Sequence, residues 1–120
     1  MVDLNKIIQA KRTIANFVRN TELYESKKLS VLSGAEVFVK RENLQRTGAY
    51  KIRGAYNKIA HLSEEQKQGG VIAASAGNHA QGVALSAREF GVRAVIVMPE
   101  STPKGYRHEK FRRGGHFKGQ

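Results

Sequence analysis

Apolar residues Leu4, Ile7, Ile8, Ile14, Phe17 and Val18 recur at helical spacing, so residues 4–19 read as an amphipathic helix. Residues 20–34 are polar with short apolar interruptions and Gly34, which predicts a loop with room for one helical turn. The β-branched and aromatic content of EVFVK (36–40) predicts a short strand, and RENLQRTG a polar connection. In AYKIRGAYNKIAHL (49–62), Tyr50, Ile52, Ala55, Tyr56, Ile59 and Leu62 fall on one helical face, with Gly54 tolerated at some cost. SEEQKQGG reads as a helical turn closing on paired glycines.

A clearer unit follows. Apolar VIAA (71–74) leads into SAGNHAQG (75–82), then helical VALSAREFG (83–91) ending at Gly91, then apolar RAVIVMP (93–99). Strand, turn, helix, capping glycine and strand make a βαβ unit, with a right-handed crossover expected. The predicted class is α/β with an open parallel sheet.

At 120 residues there is room for one domain or part of a larger one, with a core of ordinary size. Cysteine is absent, which excludes disulfides and thiolate metal sites. The first residues carry an acid at position 3 and no continuous apolar run, so neither a signal peptide nor a membrane span is expected; a soluble, cytoplasmic chain is. The formal charge of +11 is uneven: net +6 over residues 1–103 and +5 over residues 104–120. One functional reading follows from that tail alone. Lys104, Arg107, Lys110, Arg112, Arg113 and Lys118, interleaved with Tyr106, Phe111 and Phe117, would suit a nucleic-acid arm on a small basic α/β module.

In open parallel sheets, ligands bind beyond the carboxyl ends of strands, where loops enter helices. SAGNHAQG occupies that place. Asn78 stands where an N-cap would, Gly77 lets backbone approach a ligand, and Ser75 and His79 add polar groups. Unpaired amides and the positive helix end suit a carboxylate or phosphate, and equally an ordinary cap. Lys51, between Tyr50 and Ile52 and near Ala49, Gly54 and Ala55, could be partly desolvated, which favours the free amine that carbonyl chemistry needs. A lysine extended along a helix face is the commoner arrangement. The four histidines show no metal-ligand spacing, His61 is expected exposed at a helix end, and neither GxGxxG nor GxxxxGK[ST] is present.

Taken together, KRENLQRTGAYKIRGAYNKI (40–59) resembles the cofactor-lysine motif of the fold-type II pyridoxal-phosphate enzymes, and SAGNHAQGVALSA (75–87) resembles their Asn loop. With VIVMPESTPK (95–104), the likeness is closest to the threonine/serine dehydratases (threonine ammonia-lyases) and extends over about residues 4–104. The resemblance implies a partial open sheet of the tryptophan synthase β-like architecture and pyridoxal 5'-phosphate as cofactor. Lys51 would bond to that cofactor and move protons at the substrate's α-carbon and leaving hydroxyl. Asn78 would hydrogen-bond the cofactor's 3'-oxygen, and Ser75, Ala76, Gly77, Asn78 and His79 would hold the substrate carboxylate. The implied reaction is α,β-elimination of L-threonine or L-serine to a 2-oxo acid and ammonia, in an enzyme whose full-length relatives are homo-oligomeric. Racemase relatives carry a hydroxyl where this chain has Ala76, which favours dehydration over racemisation.

Three departures qualify the likeness. Ala49-Tyr50 replaces the usual Ser-Phe before the lysine. TEL (21–23) lacks the proline common ahead of the first strand, which bears on loop rigidity. The family's glycine-rich phosphate cup and its contact to the pyridine nitrogen have no counterpart here. Residues 1–103 are therefore expected to be an N-terminal piece of the catalytic domain, inactive alone, with open strand edges, exposed apolar surface and poor solubility. For FRRGGHFKG, codons can be chosen that read Ser-Gly-Gly-Glu-Val-Ile-Ser-Lys one base out of register, similar to the family's next strand. Residues 104–120 are accordingly expected to be an out-of-frame, disordered tail.

Overall fold

A computed structural model of the chain describes residues 1–102 and the backbone of residues 115–117. Helix α1 (Leu4–Ile14) starts at Asp3, whose carboxylate accepts the Lys6 amide hydrogen bond at 2.9 Å. Lys11 and Arg12 sit favourably at its negative end. It stops five residues short of the predicted boundary. The Arg19 amide donates to Gln45 Oε1 at 2.8 Å, a partner outside any helix, while Phe17 turns inward to stack on Tyr56 with ring centroids 4.1 Å apart.

Strands β1 (Leu23–Glu25) and β2 (Phe38–Lys40) pair antiparallel, Tyr24 opposite Val39. Between them runs α2 (Lys27–Ser33), capped by Ser26 and ended by Gly34 at φ +69°. This stretch was expected to be loop with a turn of helix; it holds a strand and two helical turns. LYE is too short to carry an alternating signal. A 3₁₀ turn (Glu42–Leu44) leads to α3 (Lys51–Ala60), which buries Ile52, Ala55 and Ile59. Helix α4 (Glu64–Gly69) opens with a reciprocal capping box between Ser63 and Gln66.

The βαβ unit is present: β3 (Val71–Ala74), α5 (Asn78–Glu89) and β4 (Ala94–Val97), with β3 and β4 parallel and Val71 opposite Ala94. Strand β5 (Gly115–Phe117) adds parallel to β4, giving the order β3-β4-β5. Apart from that backbone pairing, residues 103–120 lie outside the described residues, as do the expectations of a nucleic-acid arm and of an out-of-frame, disordered tail. Helix α5 begins five residues before the apolar run that predicts it, because its first turn is polar and small. From Ala80 to Ala87 it is buried at every position but Gln81, wedged between α3 and the sheet. Ala55, Ile59, Ala80, Val83, Ala87 and Ile96 form the main core. A second cluster joins Phe17, Ile52 and Leu85. The expected apolar exposure is present as well: Val31, Leu32 and Ile72 are each about three-quarters exposed or more. Among the described residues no helix is long and apolar enough to cross a membrane, and no group of three or more His, Asp or Glu could hold a metal.

Candidate active site

The two motifs singled out in the sequence meet where α5 crosses the start of α3. The joint is Gly82. A Cβ built on it would lie 3.2 Å from the Lys51 carbonyl carbon, 3.2 Å from the Ile52 nitrogen and 3.3 Å from the Ile52 Cα. Only a glycine lets the helix axis come this near to backbone without displacing it. Asn78 lies four residues earlier on α5, about 6 Å along the axis at 1.5 Å per residue. The 75–79 loop is therefore within about one helical turn of the Lys51 backbone.

Lys51 is the first residue of α3 and its side chain is exposed, with Nζ 5.2 Å from the centroid of the Tyr50 ring. The partial desolvation expected from its apolar neighbours is not present: Ile52 turns into the core, whereas Tyr50 is itself exposed. Its amine is thus open to an incoming aldehyde, and any dry environment has to come from what binds over it.

The loop begins firmly. The Ser75 amide donates to the Val97 carbonyl at 2.9 Å, tying it to the end of β4, and the Gly77 amide donates to Ser75 Oγ at 3.3 Å. Asn78 is not the N-cap that the sequence suggested. Gly77 holds that position, Asn78 is the first helical residue, and no side chain caps α5. The positive end of a twelve-residue helix thus opens outward. Gly77, Asn78 and His79 are exposed, Ser75 and Ala76 half-buried, and a Cβ on Gly77 would meet nothing within 4 Å. His79 also borders a largely apolar cavity of about 300 Å³ with Gly54, Lys58, Ile72 and Val83; Lys51 does not line it. His61 is exposed at the end of α3, as expected, with Nδ1 2.7 Å from the Asn57 carbonyl.

A polar frame around α3 was not anticipated. Arg53 is bonded to both Glu42 oxygens, Nε to Oε2 at 3.0 Å and Nη2 to Oε1 at 2.7 Å, and Nη2 also reaches Thr21 Oγ1 and the Arg19 carbonyl at 3.3 Å. The Thr21 hydroxyl donates to Glu42 Oε1, and Lys40 Nζ donates to the Thr21 carbonyl at 2.8 Å. Glu42 is held below its usual carboxylate range, first by the Arg53 hydrogen bonds, then by Thr21 and the charges of Arg53 and Lys40, against the opposing effect of burial. Buried Gln45 grips Arg19 at both ends, accepting from its amide at 2.8 Å and donating to its carbonyl at 2.9 Å. These bonds hold the 19–22 segment that lacks the proline. Their signal in sequence is thin: polar residues inside otherwise foldable stretches, with partners up to 34 positions away.

An exposed lysine thus opens the helix that packs on α5, and the uncapped start of α5 lies at the carboxyl end of the parallel strand β3. The comparisons make the class specific. The family described as pyridoxal-phosphate dependent enzyme matches residues 14–115, and the chain belongs to that family. It is 59% identical over 103 residues to the L-threonine ammonia-lyase of Thermotoga maritima, covering 86% of this chain and 26% of that protein. It is 50% identical to the catabolic L-threonine dehydratase TdcB of Staphylococcus aureus, covering 98% of this chain and 36% of that protein. Maize serine racemase superposes with a TM-score of 0.90 at 38% identity, over 98% of this chain and 36% of the other. The chain thus spans roughly a quarter to a third of the length of the curated relatives it matches. Toward the family's cofactor the residues present offer an exposed primary amine for its aldehyde, on Lys51, and an exposed side-chain amide, on Asn78, for a ring oxygen.

Proposed function

We propose that this chain supplies the cofactor lysine and the substrate-carboxylate seat of a pyridoxal-phosphate-dependent lyase that eliminates water from L-threonine or L-serine, the resulting enamine then being hydrolysed to a 2-oxo acid and ammonia. The observation that carries the reading is the Gly82 contact, which sets the start of α3 against α5 within about one turn of the 75–79 loop. When bound, the cofactor supplies an electron sink for the charge left at the substrate's α-carbon. Lys51 offers the amine that holds the cofactor and, once released, a base for the α-proton and an acid for the departing hydroxyl. The amides opening α5 favour the substrate carboxylate electrostatically, and Gly77 leaves room for it. Ser75 and His79 border that seat. Asn78, at the first position of the helix, is the donor for the cofactor's ring oxygen. Ala76 has no transferable proton, which supports elimination over racemisation even though a racemase has this fold.

The test is reductive trapping. A chimera in which residues 1–102 replace the matching segment of the Thermotoga maritima relative is incubated with pyridoxal 5'-phosphate, reduced with borohydride and mapped by mass spectrometry. Modification concentrated at Lys51, and lost in Lys51→Ala without transfer to other sites, is the expected result. Modification spread over the exposed lysines in proportion to accessibility would sink the reading.

A further inference from the structure

Resting on the reading of Lys51 as the cofactor lysine, we propose that Thr21, Glu42 and Arg53 are positioning residues for it, a side-chain clamp that sets how the first turn of α3 is rotated and thereby where the Lys51 amine points. Arg53 follows Lys51 by two residues, about 200° around the helix, so its side chain leaves the opposite flank of the same turn. The fork of Nε and Nη2 on the two Glu42 oxygens, at 3.0 and 2.7 Å, fixes orientation as well as distance, which a single point contact cannot do. The Nη2 bonds to Thr21 Oγ1 and the Arg19 carbonyl add two further points from a different segment.

Every anchor comes from residues 19–42, while α5 meets the same turn through Gly82. The turn is therefore held between a backbone contact and a charged clamp. The pair is only partly exposed, at 28% for the Arg53 side chain and 19% for that of Glu42, so solvent screens it less than a surface bridge. Lys40, on the Thr21 carbonyl, closes the network. None of these side chains touches Lys51, so their effect on it passes through the backbone.

The experiment uses the same chimera and the same trapping with pyridoxal 5'-phosphate, read as the ratio of modification at Lys51 to that at Lys58. Lys58 is exposed on the same helix and reports reagent and helix integrity alike. Glu42→Gln keeps the shape and removes the charge; Arg53→Lys keeps the charge and removes the fork. Each is expected to lower the ratio about tenfold, since an ångström of misplacement at a reacting group costs on that order or more. Far-ultraviolet circular dichroism is recorded alongside to establish that α3 persists. A lowered melting temperature with a wild-type ratio in both variants would mean that the clamp only stabilises the fold, and would overturn the proposal. Should either variant be unfolded, Thr21→Val decides, because it leaves the ion pair in place: a ratio lowered about threefold supports the clamp, and an unchanged ratio overturns it. If the chimera without these substitutions shows no preference for Lys51, the cofactor-lysine reading fails instead, so the two failures are told apart.

Discussion

Replacing Gly82 by alanine sets two opposed effects against each other, and the structure indicates which prevails. In a mid-helix position, alanine is favoured over glycine by about 1 kcal/mol. Against this, the new methyl would sit 3.2 Å from two backbone atoms of the Lys51–Ile52 peptide, against an optimum of about 3.5–4.0 Å between carbons. Neither neighbour can give way cheaply: they are main-chain atoms, and Ile52 is fully buried. Overpacking of this kind costs about 1–3 kcal/mol, so the net expectation is destabilisation by about 1 kcal/mol. Gly54 supplies the control. It lies on the exposed side of α3 with nothing within 4 Å of a built Cβ, so Gly54→Ala should stabilise by about 0.5–1 kcal/mol. Thermal melts followed by circular dichroism should place Gly82→Ala about 4–8 °C below the wild type and Gly54→Ala a few degrees above it. Trapping at Lys51 should fall in the first variant and persist in the second. A Gly82→Ala chain that melts at or above the wild type and traps at Lys51 equally well would refute the idea that close approach of α5 sets the site.

Three further outcomes follow from the same geometry. Because Glu42 has its folded pKa depressed, the stability it contributes is present above the unfolded value of about 4.3 and is lost as pH falls through the lowered folded value. In urea melts, the stability gap between wild type and Glu42→Gln should therefore shrink from pH 7 towards pH 4 and below, and a gap independent of pH would contradict the assignment. Gln45→Ala removes bonds to both ends of Arg19 and to the Arg46 amide from a nearly fully buried side chain, and should cost about 1–3 kcal/mol in the same melts. In a chimera where residues 1–102 replace the matching segment of the Thermotoga maritima relative, Ala76→Ser should raise D-serine formation from L-serine about tenfold or more relative to 2-oxo acid release. Chromatography of the product enantiomers measures this, and an unchanged ratio would remove Ala76 from the argument.

The parts legible in the sequence were those whose causes are local. VIAA is a strand at its stated residues because four apolar positions bounded by Gly70 and a polar loop leave little alternative. The face of α3 follows from Ile52, Ala55 and Ile59. The misreadings have distant causes. Past Ile14 the helical ladder gives way to tighter bonds, Ala15 to Arg12 and Phe17 to Ile14, and the chain is then held by Gln45, twenty-six residues beyond Arg19, which takes the Arg19 amide. Strand β1 exists through its pairing with β2 rather than through any pattern in LYE. Within the site, both motifs could be located, but not the joint between them: Gly82 reads as a helix-weakening residue until α3 is found against it. Nor does anything in the order of residues single out Glu42, among ten acidic side chains, as the partner of Arg53.

Helix α5 also bears on how this site can diverge. Being buried along most of its length, it behaves as a stiff rod that carries the 75–79 loop at one end and rests on the lysine turn four residues further in. A push at the loop is thus delivered to the Lys51–Ile52 backbone, which couples the two. On the proposed reading, a substrate with a larger side chain has to be admitted by surfaces other than this one, because shifting the carboxylate seat to make room would displace the backbone that carries Lys51.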